Sequence, residues 1–267
     1  MKDIILDKNK NALYYETNNF CLLNGDTLEL LSEIKSSSID MIFADPPYFL
    51  SNDGITCKSG KMVSVNKGEW DKSEGIQEIH NFNLEWIKEC KRVLNDDGTI
   101  WISGTYHNIY SLGMALLKYE YKILNNVVWF KTNPPPNLGC RCLTHSNETI
   151  IWAKKSEKSK HCFNYKLMKE MNNNRQMKDV WRIGQVSKAE KKFGKHPTQK
   201  PLELLKRIVQ ASTEKDMTIL DPFNGSGTTG IAAVELGRNY IGIDMEKEYL
   251  DQTINRYEDH TKNLKMF

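Results

Sequence analysis

TILDPFNGSGTTGIAAVELGRNYIGID, residues 218–244, reads in succession as strand, tight turn, helix and strand. Thr218 to Leu220 is a short apolar run, and three glycines (Gly225, Gly227, Gly230) crowd the ten residues that follow. IAAVELG then has helical composition, and YIGI (240–243) is a second apolar run ending on Asp244. A strand entering a helix through a glycine turn and returning to a strand is one βα unit of a parallel sheet. Glycine lets a ligand approach the backbone closely, and an acid closing the next strand can accept both hydroxyls of a ribose.

Outward from this unit the same rhythm recurs. FCLLN (20–24), DMIFA (40–44), TIWIS (99–103), NVVWF (126–130) and TIIWA (149–153) are short apolar runs bounded by turn residues, and they predict further strands. Helical spacing groups Leu84, Ile87, Cys90 and Leu94 within 83–94, and Leu202, Leu205, Ile208 and Val209 within 201–211, where Pro201 suits a first turn. The predicted fold is α/β, a doubly wound, mostly parallel, Rossmann-like sheet forming one main domain. Two stretches break the rhythm. Residues 49–73 carry three glycines and no sustained period, as expected of a long functional loop in which Trp70 lies. Residues 154–195 hold 13 Lys or Arg against four acids, a net charge of 13 − 4 = +9 in a chain of +3. This stretch is read as a polar insertion outside sheet and core, and concentrated positive charge suits a polyanion such as DNA.

The remaining composition excludes several classes. Hydrophobic residues at 39% and charged residues at 27% suit a globular protein. No apolar run reaches the ~20 residues of a membrane helix, and the first residues lack the apolar core of a signal peptide, so a cytoplasmic protein without membrane association is expected. Its six cysteines are then expected as thiols. Cys140 and Cys142 near His145, with His161 and Cys162, lack paired metal-ligand spacing, so no metal is expected. His107 follows TIWIS and Gly104, where it could line an active site, although a surface or capping histidine is the more expected reading.

Asp45-Pro46-Pro47-Tyr48 follows the strand DMIFA, and so belongs at the carboxyl edge of the sheet, where open α/β sheets bind ligands. An exocyclic amine of a nucleobase is a poor nucleophile because its lone pair is delocalised into the ring. The Asp45 carboxylate and the Pro46 carbonyl can each accept one amine hydrogen, drawing the nitrogen towards tetrahedral geometry and stabilising developing positive charge. The prolines hold those acceptors rigid, and Tyr48 can stack on the base. A base inside a duplex must be flipped out to reach them. Gly225, Gly227, Gly230 and Asp244 also satisfy a nicotinamide-dinucleotide spacing, so an NAD-dependent oxidoreductase stays open as a remote alternative. Against it, Asp221 stands where a pyrophosphate would be repelled, and suits a ligand carrying ammonium and sulfonium cations.

Taken together, the DPPY and DPFNGSG motifs resemble the catalytic and cofactor motifs of the β-group DNA amino methyltransferases of bacterial restriction-modification systems. Asn24-Gly25-Asp26 and His196-Pro197-Thr198-Gln199-Lys200-Pro201 are similar to two more of the family's segments, and the likeness spans most of residues 20–250. It is nearest to the second adenine methyltransferases of DpnII-type systems, which modify GATC. The resemblance implies S-adenosylmethionine as cofactor and transfer to adenine N6 after base flipping, with cytosine N4 as the alternative target; Asp45, where the cytosine group more often has Ser, favours adenine. Asp45, Pro46, Pro47 and Tyr48 would be catalytic. Gly25, Asp26, Thr198, Lys200, Asp221, Phe223, Asn224, Gly225, Ser226, Gly227, Thr228 and Asp244 would bind cofactor, with Lys200 pairing and Thr198 hydrogen-bonding its methionine carboxylate. Residues 1–131 would form a catalytic half and 196–267 a cofactor half of one core, with 132–195 as a target-recognition insertion. There Asn133, Asn137, Arg141, Arg175, Gln176, Arg182, Lys188, Lys191 and Lys192 have side chains suited to bases or phosphates. Duplex DNA is the implied partner, with single-stranded DNA as a variant; the resemblance is also compatible with a homodimer and a cognate restriction endonuclease.

Overall fold

The computed structural model describes residue 4 and residues 12–49, 55–58, 61–64, 75–194 and 196–264. Nine strands form one sheet: β1 (Leu13–Glu16), β2 (Phe20–Asn24), β3 (Ile39–Ala44), β6 (Leu94–Gly104), β7 (Lys122–Lys131), β8 (Asn147–Lys154), β9 (Val180–Ile183), β10 (Thr218–Asp221) and β11 (Asn239–Asp244). Their spatial order is β1-β2-β11-β10-β3-β6-β8-β7-β9. The run β2-β11-β10-β3-β6 is parallel throughout. Its strands are near-continuous apolar segments because helices cover both faces. β1 and β8 run antiparallel to their neighbours, and β9 lies parallel to β7.

One face is covered by α1 (Thr27–Ser32), α2 (Ile76–Val93) and α3 (Ile109–Lys118), whose Leu30, Leu31, Trp86, Ile87, Leu112 and Leu116 pack in one core with Cys21, Leu23, Ile42 and Ile100 of the strands. On the other face α4 (Tyr165–Met171), α5 (Leu202–Ser212), α6 (Thr228–Glu235) and α7 (Lys247–Leu264) supply Met168, Leu204, Leu205, Ile231 and Leu250 to a second core with Phe20, Met41, Trp101 and Tyr240. Alternate side chains of each strand thus feed opposite cores, as the pleat requires. This is the doubly wound α/β arrangement the strand pattern predicts.

The chain leaves β3 through α2 to β6 on one side, and leaves β10 through α6 to β11 on the other. Strand order therefore reverses between β3 and β10, which opens a crevice beyond their carboxyl ends.

Three expectations need correction. Residues 49–73 are not wholly loop: β4 (Ile55–Lys58) and β5 (Lys61–Ser64) pair as an antiparallel hairpin, from strands of four residues too short to show a period; Trp70 lies outside the described residues. The basic stretch 154–195 does not stay outside sheet and core. It supplies α4 and β9, and buries Met168, Trp181 and Ile183. β9 alternates exposed Val180 and Arg182 with buried Trp181 and Ile183, a strand pattern masked by the surrounding lysines. Finally, α2 begins at Ile76, and its buried face is Asn83, Trp86, Ile87, Cys90 and Val93, with Leu84 only partly buried.

Candidate active site

Asp45 follows the last residue of β3 and Asp221 closes β10, so the two acids flank the reversal point. A single cavity is lined by Asp45, Pro46, Pro47 and Tyr48 from the first loop, Asp221 to Ser226 and Thr228 from the second, Asp26 at the start of α1, Thr198 and Lys200 before α5, and Asp244 at the end of β11. Of the residues singled out in the sequence as catalytic or cofactor-binding, only Gly25 and Gly227 do not line it.

Each motif is held by its own hydrogen bonds. The Asp26 carboxylate accepts the Leu28 and Glu29 N–H groups at 2.8 and 3.1 Å, capping α1. The Gly25 N–H donates to the Asp244 carbonyl at 3.1 Å, stitching the ends of β2 and β11 together so that Asp26 meets the cavity. Asp244 accepts the Gly225 and Glu246 N–H groups at 2.7 and 2.9 Å. Asp221 accepts the Phe223 N–H at 3.0 Å and the Thr229 hydroxyl at 2.6 Å. Gly227 serves packing rather than a ligand: with φ +71° it opens α6, and a Cβ there would stand 2.3 Å from Thr253 Cγ2 of α7.

The cavity is acidic. Burial pushes the Asp221 carboxyl up to about 7, against the Thr229 and Phe223 hydrogen bonds and with the negative charges of Asp45 and Asp244 adding to it. Burial likewise raises Asp244 to about 6, against the N–H groups of Glu246 and Gly225. Among the described residues the only Lys or Arg on the wall is Lys200, and it is committed. Its ammonium bonds Asp45 Oδ2, and lies 3.2 Å from the Tyr48 hydroxyl and 3.5 Å from Glu148 Oε2. Lys200, expected beside a cofactor carboxylate, thus sits on the DPPY aspartate.

The Tyr48 hydroxyl donates to Asp45 Oδ1 at 2.6 Å, and burial beside Asp45 and Glu148 holds its pKa well above the ordinary tyrosine value. Burial opposes the Lys200 charge, but Asp45 and Glu148 outweigh it and raise its pKa. Burial equally opposes ionisation of Glu148, but Lys200 and Lys131 outweigh it and lower its pKa. Tyr48 therefore keeps its proton, Lys200 its positive charge and Glu148 its negative charge at neutral pH.

Sequence reading missed several wall residues. Glu78, Ile79 and Phe82 of α2, His196, Met245, Glu246 and Tyr249 all line the cavity, and His196 stacks edge-on against Tyr249 with centroids 4.3 Å apart. Glu148, Ser103 and Lys131 support the cavity from behind. Only Glu148 left a trace in sequence, as a carboxylate heading the apolar run of β8. Phe223 packs edge-on against Trp86 at 5.3 Å and borders Phe82 at 6.1 Å.

The residues singled out for DNA lie apart from the cavity. Asn133, Arg141, Arg175, Gln176, Arg182, Lys188, Lys191 and Lys192 are exposed. Arg182 covers the Phe130 ring at 5.3 Å, and Lys192 pairs with Asp259 at 2.9 Å. Asn137 is spent on its own loop, donating to the Cys142 carbonyl at 2.8 Å and accepting the Gly139 N–H at 3.0 Å. Cys140 and Cys142 are exposed free thiols. His107 is exposed, beside Tyr106.

Comparison with known proteins agrees with this geometry. A family model described as DNA methylase matches residues 39–255. Type II methyltransferase M2.MboI of Moraxella bovis is 55% identical over 254 residues, covering 94% of this chain and 93% of that protein. Type II methyltransferase M2.DpnII of Streptococcus pneumoniae is 57% identical over 246 residues, covering 92% of each. Among solved structures, the M1.HpyAVI–SAM complex superposes with a TM-score of 0.67 at 30% identity, over 89% of this chain and 98% of that one.

Proposed function

The chain belongs to the DNA methylase family, and on that premise we propose that it transfers a methyl group from S-adenosylmethionine to N6 of an adenine flipped out of DNA. The observation that carries this reading is that Asp45 and the Gly225 turn face one cavity at the β3/β10 reversal. An amine acceptor and a cofactor turn on opposite sides of the molecule could not act together.

The donor set suits this cofactor. Asp26, Asp221 and Asp244 line the cavity, and Lys200, the one lysine on its wall among the described residues, is already paired with Asp45, an environment for a cationic ammonium and sulfonium and a poor one for a pyrophosphate. In this reading Asp244 accepts the ribose hydroxyls, Phe223 packs on the adenine ring, and Asp26 and Thr198 complete the cradle. S-adenosylmethionine, when bound, supplies an electrophilic methyl group on sulfur. Asp45 and the Pro46 carbonyl accept the amine hydrogens, directing the nitrogen lone pair and stabilising the charge that develops on it. Tyr48 borders the base, and stacking of this kind is worth about 1–3 kcal/mol.

Residues 132–195 form the recognition segment of this reading, with the exposed Asn133, Arg141, Arg175, Gln176, Arg182, Lys188 and Lys191 on DNA and Asn137 ordering their loop. GATC is the target that the sequence resemblance implies. The type II designation of the relatives supports a restriction partner, and a homodimer is compatible with the same reading. No helix of the described residues is long and apolar enough to cross a membrane.

Incubating the protein with duplex DNA and methyl-labelled S-adenosylmethionine, then digesting to nucleosides, tests the reading. Label in N6-methyladenine is expected; label in N4-methylcytosine would overturn the choice of base.

A further inference from the structure

Asp45 already holds two partners where an amine would arrive. Tyr48 donates to its Oδ1 at 2.6 Å, and the Lys200 ammonium bonds its Oδ2. Both oxygens are therefore engaged by donors, and the amine adds a third donor.

A second carboxylate stands directly behind these two donors. Glu148 Oε2 lies 3.5 Å from Lys200 Nζ, 3.4 Å from the Tyr48 hydroxyl and 3.4 Å from Ser103 Oγ. Its other oxygen is fixed by Lys131 at 2.6 Å, so Oε2 stays aimed at the pair. Glu148 is nearly buried, with 10% of its side chain exposed, and it does not line the cavity. It therefore cannot act on a ligand directly. The contacts of 3.4–3.5 Å are longer than a full charge-assisted bond of about 2.7–2.9 Å, so a movement of under about 1 Å makes Glu148 the better partner for either donor.

Resting on the amine-methylation reading above, we propose that Glu148 is a positioning residue for the transfer: its Oε2 takes over the Lys200 ammonium when the target amine displaces it from Asp45 Oδ2. Two carboxylates and two ammoniums balance within the cluster (Asp45, Glu148, Lys200 and Lys131), so the exchange leaves its net charge unchanged, and the positive charge that develops on the amine becomes the partner that the buried Asp45 carboxylate requires. No covalent bond changes in this exchange; two hydrogen bonds change partners. Lys131 holds the receiving carboxylate in place and does not itself take part.

The test is Glu148→Gln, which keeps the shape and removes the charge. It is expected to lower kcat by at least about tenfold, with the KM for duplex DNA and the calorimetric Kd for S-adenosylmethionine close to wild type; the melting temperature falls, because Lys131 loses its carboxylate partner. Since Lys200 loses one of the two carboxylates that hold it charged, the alkaline limb of the kcat–pH profile should move to lower pH. In a Lys200→Met background the same change should cost nothing further, because Glu148 acts through Lys200. Lys131→Met, at a partly exposed side chain that folding tolerates better, should give a smaller fall in kcat. An unimpaired kcat in Glu148→Gln, an additive loss in the double variant, or a loss in kcat matched by weaker cofactor binding would each overturn the proposal. A wild-type protein that methylates no DNA would instead overturn the parent reading, and this inference with it.

Discussion

At the scale of single residues, the site is governed by what burial does to carboxylates. Asp45 keeps company with Lys200 and Tyr48, and replacing it with Asn keeps the shape while removing both the charge and one acceptor. Turnover of Asp45→Asn should fall by a factor of about 100 or more, the scale for losing an electrostatic group aimed at the reacting centre, while the Kd for S-adenosylmethionine stays within a few-fold of wild type. A variant keeping more than about a tenth of the rate would remove Asp45 from the reaction. Asp221 carries a different prediction. Its carboxyl is raised from 3.8 to about 7, so folding favours its protonated form. The stability it contributes is fully present below pH 3.8, and is lost as pH rises through about 7. Asp244, raised to about 6, acts in the same direction. The melting temperature of the ligand-free protein should therefore decline across this window, and Asp221→Asn, which cannot ionise, should flatten the decline; parallel curves for the two proteins would refute the assignment. Binding of a cationic cofactor runs the other way, tightening as pH rises through 6 to 7 because the carboxylate is the form that pairs with it.

At the scale of elements, the two loops that make the site were legible because each is written in consecutive residues: an apolar strand, then DPPY, and an apolar strand, then DPFNGSG. The contacts between them were not. Lys200 meets Asp45 across 155 residues and Glu148 joins them through β8, so their meeting depends on the order β10-β3-β6-β8, which no local period encodes. β9 was hidden for a compositional reason, since its two inward residues, Trp181 and Ile183, sit among lysines. The face of α2 was misread because its largest anchor, Trp86, is fully buried, whereas a count of aliphatic positions starts at Leu84. Gly227 shows the limit of reading a glycine motif as ligand contact alone. Gly227→Ala places a methyl group 2.3 Å from Thr253 Cγ2 at φ +71°, so it must push α6 from α7 as well as strain the backbone. A loss of about 1–3 kcal/mol, the usual range for overpacking, is expected in chemical denaturation, and Thr253→Ala in the same chain should recover part of it. If the second change recovers nothing, backbone strain rather than crowding sets the cost.

At the scale of the whole molecule, charge is divided between two surfaces with opposite tasks. The cavity wall is acidic, while residues 154–195 carry +9 by count, a separation that draws a polyanion to one region without crowding the cationic cofactor's site. The bases of the target sequence were not legible from this segment, because a long exposed side chain suits a phosphate and a base edge equally well. What the structure adds is a ranking among the lysines. Lys192 is paired with Asp259 at 2.9 Å, and part of its charge is already neutralised. Lys188 precedes and Lys191 ends a 3-10 turn, Ala189–Lys191, whose Glu190 caps α5 by accepting the Leu202 N–H at 2.8 Å. The turn is thus anchored beside the loop carrying Thr198 and Lys200. Each phosphate contact contributes about 0.9 to the slope of log affinity against log salt on duplex DNA. Lys188→Gln with Lys191→Gln should therefore lower the slope by nearly 2 in a titration from low to moderate salt, and Lys192→Gln alone should change it by distinctly less. An unchanged slope in the double variant would move the DNA off this surface. A larger effect from Lys192 than from the pair would mean that Asp259 releases it to the phosphates when DNA binds.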